Sequence, residues 1–372
     1  MVQEQQIDTG DINVNMGPQH PSTHGVFRMV LTIDGERVID VEPHIGYMHR
    51  GAEKLSESMD YRAAIGYQDR TDYLAQFMNE QAYCMAVEKL LGLEVPERAE
   101  YIRVILCELN RISSHFMFLG AFGIDLGHFG TSFTYGFRER EHIQDIFEET
   151  TGERLMYGYF RPGGLVWDVP DNFVQRVREV LPKSLQGLRD IDMLMTENEI
   201  VAARSRGIGI MSAEDAINWG LSGPMLRAAG VPWDLRKDKP YSIYDRFEYD
   251  VPVGRHGDVF DRYLVRIEEV RQSIRIVEQA LDQLPDGPIM PEKMPRRLRG
   301  PEGEVYAAVE GARGEYGIYL VSKGGDKPYR LKMRSPSFCN LSALREMTVG
   351  NYVADAVAIL GSIDIVLCCV DR

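Results

Sequence analysis

The chain has 372 residues, 44% of them apolar, so it can build one large or two ordinary domains around a buried core. It carries 42 Lys and Arg against 56 Asp and Glu, and this net charge of −14 argues against nucleic acid or an anionic lipid surface as the main partner. Five scattered cysteines, behind an N-terminal stretch that lacks the apolar core of a signal peptide, predict a reducing, cytosolic setting.

The first predicted elements are two β-rich runs, Phe27 to Ile33 and Arg37 to Val41. Asp34 and Gly35 lie between them, which is the pattern of a tight hairpin. A small sheet is therefore expected to open the fold.

Ahead of the hairpin, the segment from Gly17 to Gly25 combines two prolines and two glycines with two histidines, His20 and His24. Such a composition excludes regular structure and predicts a shaped loop, where ligand contacts concentrate. The spacing of the histidines does not by itself make a metal site, and two ordinary hydrogen-bonded histidines remain the alternative.

Two helices are predicted next, Leu74 to Leu91 and Ala99 to Phe116. In the second, apolar residues step by three and four, and Gly92 and Pro96 separate the two runs. This arrangement indicates an antiparallel helix pair.

Three more helices are predicted at Phe133 to Glu149, Asp171 to Asn198 with a kink near Pro182, and Asp258 to Gln283. The last has the clearest pattern, with arginine and glutamate on the face opposite an apolar stripe. The stripe consists of Phe260, Tyr263, Ile267, Val270, Ile274, Val277 and Leu281. We interpret it as core rather than as a cofactor contact.

A Pro- and Gly-rich connection from Leu284 to Glu304 leads to a second β region, Val305 to Phe338, with a turn at Gly324-Gly325. The final segment, Tyr352 to Arg372, begins as an amphipathic helix. The pattern predicts an α+β fold that is mainly α, with small sheets from both ends of the chain. We divide it into an N-terminal hairpin and loop (1–70), a helical core (71–284) and a C-terminal β/α segment (285–372).

Several polar clusters could carry chemistry. Asp72, in the run from Tyr67 to Tyr73, is most simply a capping residue of the helix that follows. Asp125 lies inside an apolar run and should be paired if buried, with a histidine as a plausible partner. The charge run Phe137 to Glu141 is either a solvated face or a selective subunit contact, and Ala312 to Glu315 is most simply a turn.

Other chemistries find no support in the sequence. No Gly-rich phosphate loop, Gly-x-Ser-x-Gly elbow or Cys-x-x-Cys pair is present. The most apolar stretches, Phe116 to Phe133 and Val353 to Val370, each contain charged residues and do not look like lipid-spanning helices. A role at a membrane would therefore require docking on other subunits.

Five segments together, in the same order along the chain, resemble the D-type, quinone-site subunit family of respiratory complex I, the proton-pumping NADH:quinone oxidoreductase. They are Gly17 to Gly25, Glu42 to Gly51, Asp69 to Tyr73, Phe137 to Glu141 and Val370 to Arg372. The resemblance runs from end to end. It implies a helical bundle similar to the large subunit of nickel-iron hydrogenases.

Those hydrogenases hold their metal with two cysteine pairs, which this chain lacks. The early pair corresponds to the segment Arg70 to Tyr73, which has no thiol, and near the C-terminus only Cys369 falls at a candidate position. Four thiolates are therefore not available, so the resemblance implies no metal and no redox cofactor on this chain.

The resemblance implies instead a quinone cavity, shared with a neighbouring subunit that holds a 4Fe-4S cluster. His24 and Tyr73 would hydrogen-bond the two carbonyl oxygens of the quinone head group, and Asp125 would pair with His24. Imidazole and phenol are both hydrogen-bond donors, as the protonation of a reduced quinone requires.

Two further residues are assigned by resemblance to the surroundings of the neighbour's cluster. Arg70 would place a fixed positive charge there. Many relatives have a histidine after a Thr-Gly-x-Arg element, where this chain has Tyr157. Since tyrosine does not become a cation, we expect a cluster potential that is lower and less dependent on pH than in relatives with histidine.

The expected partners are the other complex I subunits of the peripheral and membrane arms, together with quinone, and the expected location is the cytoplasmic face of the bacterial plasma membrane without a transmembrane segment. The equivalent subunit of a ferredoxin- or F420-linked relative is an alternative, because electron input lies on other chains. A scaffold without quinone contact and a soluble metallohydrogenase are further alternatives.

Overall fold

The computed structural model describes residues 11–19, 26–128 and 130–372. Its strands are β1 (Ile12–Met16), β2 (Arg28–Asp34), β3 (Arg37–His44), β4 (Phe160–Arg161), β5 (Gly164–Leu165), β6 (Gly300–Gly311), β7 (Gly314–Gly325) and β8 (Arg330–Arg334). The longer helices are α3 (Gln76–Leu91), α4 (Glu97–Asp125), α5 (Thr131–Thr151), α6 (Phe173–Met195), α11 (Val259–Asp282) and α14 (Val353–Ile363).

Short helices connect these elements. They are α1 (Ala52–Ser58), α2 (Ile65–Asp69), α7 (Glu199–Ala203), α8 (Ala213–Asn218), α9 (Pro224–Ala228), α10 (Leu235–Asp238), a 3₁₀ turn at Tyr244–Arg246, α12 (Pro336–Ser342), α13 (Leu344–Thr348) and α15 (Leu367–Asp371). The fold is thus mixed helix and sheet with helices predominant, and the prediction of an α+β, mainly α, class is confirmed at that level. The three-segment division stays a prediction.

The opening sheet contains the predicted hairpin, β2 and β3, paired antiparallel with Leu31 opposite Val41. The period-two pattern buries Met29 and Leu31 while their neighbours are more exposed. A third strand, β1, pairs with β2 and was not predicted, although its sequence alternates apolar and polar residues. The sheet is joined to the C-terminal part of the chain by a hydrogen bond from Val38 N to Asn351 O of 2.9 Å.

Helices α3 and α4 form the predicted antiparallel pair. Phe77 at the start of α3 donates its N–H to Asn110 of α4 at 3.3 Å, whereas Glu88 near the end of α3 binds Arg103 near the start of α4 at 2.7 Å. The first contact joins the start of α3 to the middle of α4, and the second joins the end of α3 to the start of α4. The two helices therefore run in opposite directions.

Helix α4 is the central element of the bundle and packs between α5 and α11. Its predicted apolar positions, such as Ile105 and Leu109, are fully buried. Charged residues on its other faces, Arg103, Glu108 and Arg111, are fully buried as well. A helix that is buried all round must pair these charges internally, because an unpaired charge in the interior is costly.

Helix α11 shows the same property and corrects one expectation. All seven residues of its apolar stripe are buried, as predicted. However, Arg262, Arg266 and Glu269, which the sequence pattern places on a polar face, are fully buried too. Glu269 binds His115 at 2.8 Å and Arg227 at 2.6 Å, so that face of α11 is an internal ionic layer rather than a solvated surface.

In the C-terminal part, β6, β7 and β8 form an antiparallel sheet. The sheet begins at Gly300, five residues before the predicted start, and the β6–β7 turn lies at Ala312 and Arg313. Helix α14 packs against α4 and α11, and the short α15 ends the chain. Among the described helices, none combines the length and apolar character needed to cross a membrane.

Candidate functional site

A largely apolar cavity of about 250 Å³ lies where the two ends of the chain meet the end of α4. Helix α4 contributes Met117, Phe118, Ala121 and Phe122 to its wall. The segment from Gly361 to Cys368, at the junction of α14 and α15, forms the opposite wall. Val26 and Met48 close it on the N-terminal side.

Tyr73 lies in the wall of this cavity, in the short segment between α2 and α3. Its side chain is partly exposed, at 39%, although it belongs to an otherwise buried layer. Burial raises the pKa of the Tyr73 phenol, and nearby Cys368 acts in the same direction. The phenol therefore keeps its proton near neutral pH and can donate a hydrogen bond into the cavity.

The two walls of the cavity are joined by Arg313, a residue of the β6–β7 turn that is 1% exposed. Its guanidinium group binds the carboxylate of Asp72 at 3.1 Å and that of Asp364 at 3.2 Å. It also donates to the backbone oxygen of Asp364 at 2.8 Å. Because Asp72 directly precedes Tyr73, this arginine determines where the phenol lies relative to the opposite wall.

This arrangement corrects one interpretation of the sequence and confirms another. Asp72 does not cap α3, whose N-cap is Ala75, and is instead buried against Arg313 while accepting the N–H of Leu74 at 3.1 Å. The turn at Ala312 and Arg313 exists, but its arginine points inward as an ionic link. The sequence offered no signal for this, since the two partners are 241 and 51 residues away.

Asp364 is a second polar group in the cavity wall. Its backbone is in the left-handed region, with φ of 59°, which is uncommon for a residue other than glycine. Burial raises the pKa of its carboxyl group, while Arg313 and Arg266 oppose the shift. The guanidinium group of Arg266 lies 4.2 Å from the ring of Phe118, directly behind the cavity wall.

Asp125, at the end of α4, lies behind the wall of this cavity. Its carboxylate packs against Gly361, a residue of that wall, so closely that Oδ2 leaves no room for a Cβ at this position. Burial raises the pKa of Asp125 to about 7, and the charge of Arg204 opposes the shift. The carboxyl group can therefore gain or lose a proton near neutral pH.

A smaller cavity of about 160 Å³ lies next to the first, and Met48 and Cys368 line both. Arg70 is part of its wall together with Arg50. Arg50 donates a hydrogen bond to the backbone oxygen of Arg70 at 3.1 Å, and Arg70 itself is exposed. The exposed positive charge of Arg70 therefore lies close to Tyr73, three residues earlier in the chain.

Met48 is held between the two cavities by Asp371. The Asp371 carboxylate accepts the backbone N–H groups of Gly46 at 2.8 Å and of Met48 at 2.7 Å. Its backbone oxygen is 2.6 Å from Nδ1 of His49. The last turn of the chain thus positions a loop from its N-terminal part.

Tyr157 is buried, with 6% exposure, rather than displayed on the surface. Its ring stacks on Phe77 at 4.3 Å, and its hydroxyl group donates to Gln144 at 3.1 Å. Burial raises the pKa of this phenol above its usual value. The side chain therefore stays neutral, and it offers almost no surface to another subunit.

The structure thus places Tyr73 in the wall of one cavity, Asp125 against Gly361 of that wall, and Arg70 in the wall of the adjoining cavity. His24 lies outside the described residues, as does His20, so the expected contact between His24 and Asp125 stays a prediction. Among the described residues, no three His, Cys, Asp or Glu side chains converge as a metal site. Cys369 is buried, with Sγ 2.9 Å from Oγ of Ser335.

Comparison with known proteins shows the family of the chain. The family model described as the respiratory-chain NADH dehydrogenase 49 Kd subunit matches residues 125–299 and 293–372. The D-type subunit of NADH-quinone oxidoreductase from Dehalococcoides mccartyi is 53% identical over 366 residues, covering 98% of this chain and 100% of that protein. The proteins of the same name from Carboxydothermus hydrogenoformans and Clostridium beijerinckii are each 48% identical, covering 98% and 100% of this chain and all of their own length.

The chain belongs to the 49 Kd, D-type subunit family of NADH-quinone oxidoreductase. It is therefore a component of complex I, an oxidoreductase of the respiratory chain, and its partners include the other subunits of that complex. The two adjoining cavities, with Tyr73 in the wall of one and Arg70 in the wall of the other, are the candidate functional site.

Proposed function

We propose that this chain supplies one wall of the quinone-reducing site of complex I, with Tyr73 and His24 as hydrogen-bond donors to the two quinone oxygens. The observation that carries the proposal is the position of the Tyr73 phenol in the wall of an apolar cavity. Reduction of a quinone adds two electrons and two protons, so each oxygen needs a donor at roughly 2.6–3.2 Å. A phenol at an apolar wall meets that need for one oxygen.

The part of His24 rests on the sequence resemblance and on one feature of the structure. Val26, two residues further along the chain, lines the same cavity as Tyr73. Asp125 lies against Gly361 of the cavity wall, and burial raises its pKa to about 7. Such a carboxyl group could return protons to the donors after turnover, because it exchanges protons near the working pH.

The cavity is smaller than the roughly 300–1,000 Å³ of complete ligand pockets, which suits a site that a second chain completes. We propose that the second chain is the neighbouring subunit with a 4Fe-4S cluster, and that the exposed Arg70 faces it. The chain would work from the cytoplasmic face of the membrane, docked on other subunits of the proton-translocating complex. Its likeness to nickel-iron hydrogenase large subunits also remains a prediction.

The decisive experiment uses the assembled complex with Tyr73→Phe and, separately, His24→Ala. We expect the clusters to be reduced by the upstream donor as before, while quinone turnover falls at least about tenfold in each variant, since general acids contribute about 10²–10⁴ to rate. Tyr329→Phe, which alters an exposed tyrosine on the β7–β8 connection, is the matched control. Normal turnover in both variants would mean that this chain is a scaffold and that quinone binds elsewhere.

A second prediction concerns the cluster potential. Because Tyr157 is buried and its phenol stays neutral, it cannot supply a titrating positive charge near the cluster. We expect a potential that changes little between pH 6 and 8, and a steeper slope in the Tyr157→His variant. A redox titration of the assembled complex measures both, and a steep slope in the unmodified complex near neutrality would contradict the assignment.

A further inference from the structure

Two buried carboxyl groups lie behind the segment that carries Arg70 and Tyr73. Asp69, the last residue of α2, is 1% exposed, and Glu80, on α3, is 0% exposed. Their side chains hydrogen-bond each other. Nothing in the sequence indicated this pair: Glu80 was not singled out, and Asp69 was noted only as the first residue of the segment Asp69 to Tyr73.

One oxygen of each carboxyl group binds the same loop. Oδ2 of Asp69 accepts the backbone N–H of Gly158 at 2.9 Å, and Oε2 of Glu80 accepts that of Phe160 at 2.6 Å. The loop, residues 157–161, begins with Tyr157, whose ring stacks on Phe77 of α3. The pair thus joins the end of α2, the first half of α3 and the loop.

The other oxygen of each group receives no such hydrogen bond. Oδ1 of Asp69 and Oε1 of Glu80 are fully buried, and no N–H or O–H donor of the described residues reaches either of them. Two ionised carboxylates have only acceptors, so their oxygens would repel each other in a medium of low dielectric constant. A hydrogen bond between them requires that one carboxyl group keeps its proton.

The charges around the pair favour this state. Burial raises the pKa of Glu80 well above its usual range, and the neighbouring Asp69 carboxylate raises it further. Burial also raises the pKa of Asp69, although Arg70 and Arg161 oppose the shift. The other titratable groups near the pair are the neutral thiols of Cys84 and Cys107 and the phenols of Tyr157 and Tyr159.

We propose that Asp69 and Glu80 share a single proton, carried by Glu80, and act as a positioning pair that fixes the 157–161 loop to the segment bearing Arg70 and Tyr73. Loss of the proton would set two carboxylates against each other and separate the loop from that segment. Because a glutamate in the unfolded chain ionises at about pH 4.3, this stabilisation is fully present below that pH, decreases as pH rises above it and is lost as pH passes the pKa of the pair.

Amide substitutions test the shared proton directly. In Glu80→Gln, the amide oxygen can still accept the Phe160 N–H while the NH₂ group donates to Asp69, and Asp69→Asn can do the reverse. In the double variant the two NH₂ groups face each other. We therefore expect each single variant to assemble. The double variant should lose at least about tenfold more assembled complex than the two single variants combined, because it leaves one buried hydrogen bond unmade.

The matched control is Glu149→Gln with Asp282→Asn, two exposed acids that bind different arginines, Arg176 and Arg178. Their effects should combine additively, because the two acids share no partner. If the double variant of Asp69 and Glu80 loses no more assembled complex than the two single variants combined, the two residues do not share a proton.

Infrared spectroscopy of the assembled complex gives a second readout. A carbonyl band of a protonated carboxyl group should be present at pH 7 and missing after Glu80→Gln, whereas Asp125→Asn should remove a different band. The ratio of quinone turnover at pH 9 to that at pH 7 should be higher in Glu80→Gln than in the unmodified complex. If Glu80→Gln removes no band, both groups are ionised and the proposal is wrong.

The link to turnover rests on the proposed quinone role, but the shared proton does not. If Tyr73→Phe leaves turnover intact while the band and the non-additive loss of assembly are observed, the proposed function fails and the positioning pair stands.

Discussion

The carboxyl group of Asp125 changes its charge near neutral pH, and its effect on stability has a definite sign. In the unfolded chain an aspartate ionises near pH 4, whereas burial raises the pKa of Asp125 to about 7. Between these values the folded state keeps a proton that the unfolded state has lost, so stability falls as pH rises, by up to about 1.4 kcal/mol per pH unit.

Asp125→Asn removes that titration. We expect the midpoint of thermal dissociation of the complex to fall less steeply between pH 5 and pH 7 in the variant than in the unmodified complex, with the two curves diverging most above pH 7. Glu149→Gln, an exposed acid on α5, is a suitable control. Parallel curves for Asp125→Asn and the unmodified complex would show that Asp125 does not ionise in this range.

At the scale of elements, Arg313 connects three parts of the chain: the β6–β7 turn, the segment before α3 and the junction of α14 with α15. Arg313→Met would leave two buried carboxylates, Asp72 and Asp364, without their counterion, a change that costs about 3–5 kcal/mol. We expect little assembled complex from this variant.

Arg313→Lys tests whether the positive charge of Arg313 is sufficient or whether the shape of its guanidinium group is also needed. A lysine keeps the positive charge but cannot bind both carboxylates in the planar fork that arginine provides. We expect assembly with a reduced rate of quinone turnover, because Tyr73 would no longer be fixed relative to Asp364. A lysine variant that matches the unmodified complex in turnover would show that charge alone suffices.

The elements themselves were largely predictable, whereas the ionic contacts between them were not. The three-four spacing of apolar residues predicted α4 and α11, because that spacing reflects a face that must be buried. It could not predict that Arg266 and Glu269 are buried as well, since their pairing depends on residues far away in the sequence. Asp125 stood out as an acid inside an apolar run, whereas the roles proposed for Tyr73, Arg70 and Asp125 came from resemblance to a family.

At the scale of the whole molecule, Asp371 joins the two ends of the described chain. Asp371→Ala removes the acceptor for two backbone N–H groups, those of Gly46 and Met48, at a cost of roughly 1–3 kcal/mol for each donor left buried. Because Met48 lines both cavities, we expect weaker quinone binding, seen as a raised KM, with smaller effects on cluster reduction. Asp355→Ala, which removes a cap from α14, tests a comparable loss of a hydrogen bond away from the cavities.

The internal ionic layer also constrains how this family can diverge. In the described part of the chain, seven arginine side chains are fully buried, and members such as Arg227 each bind more than one acid. A single substitution there leaves an uncompensated charge, whereas a charge-balanced exchange of both partners by apolar residues can be nearly neutral. Substitutions in this layer should therefore occur as coordinated replacements of both partners. We expect the sequence to change slowly inside the bundle and more freely on its surface.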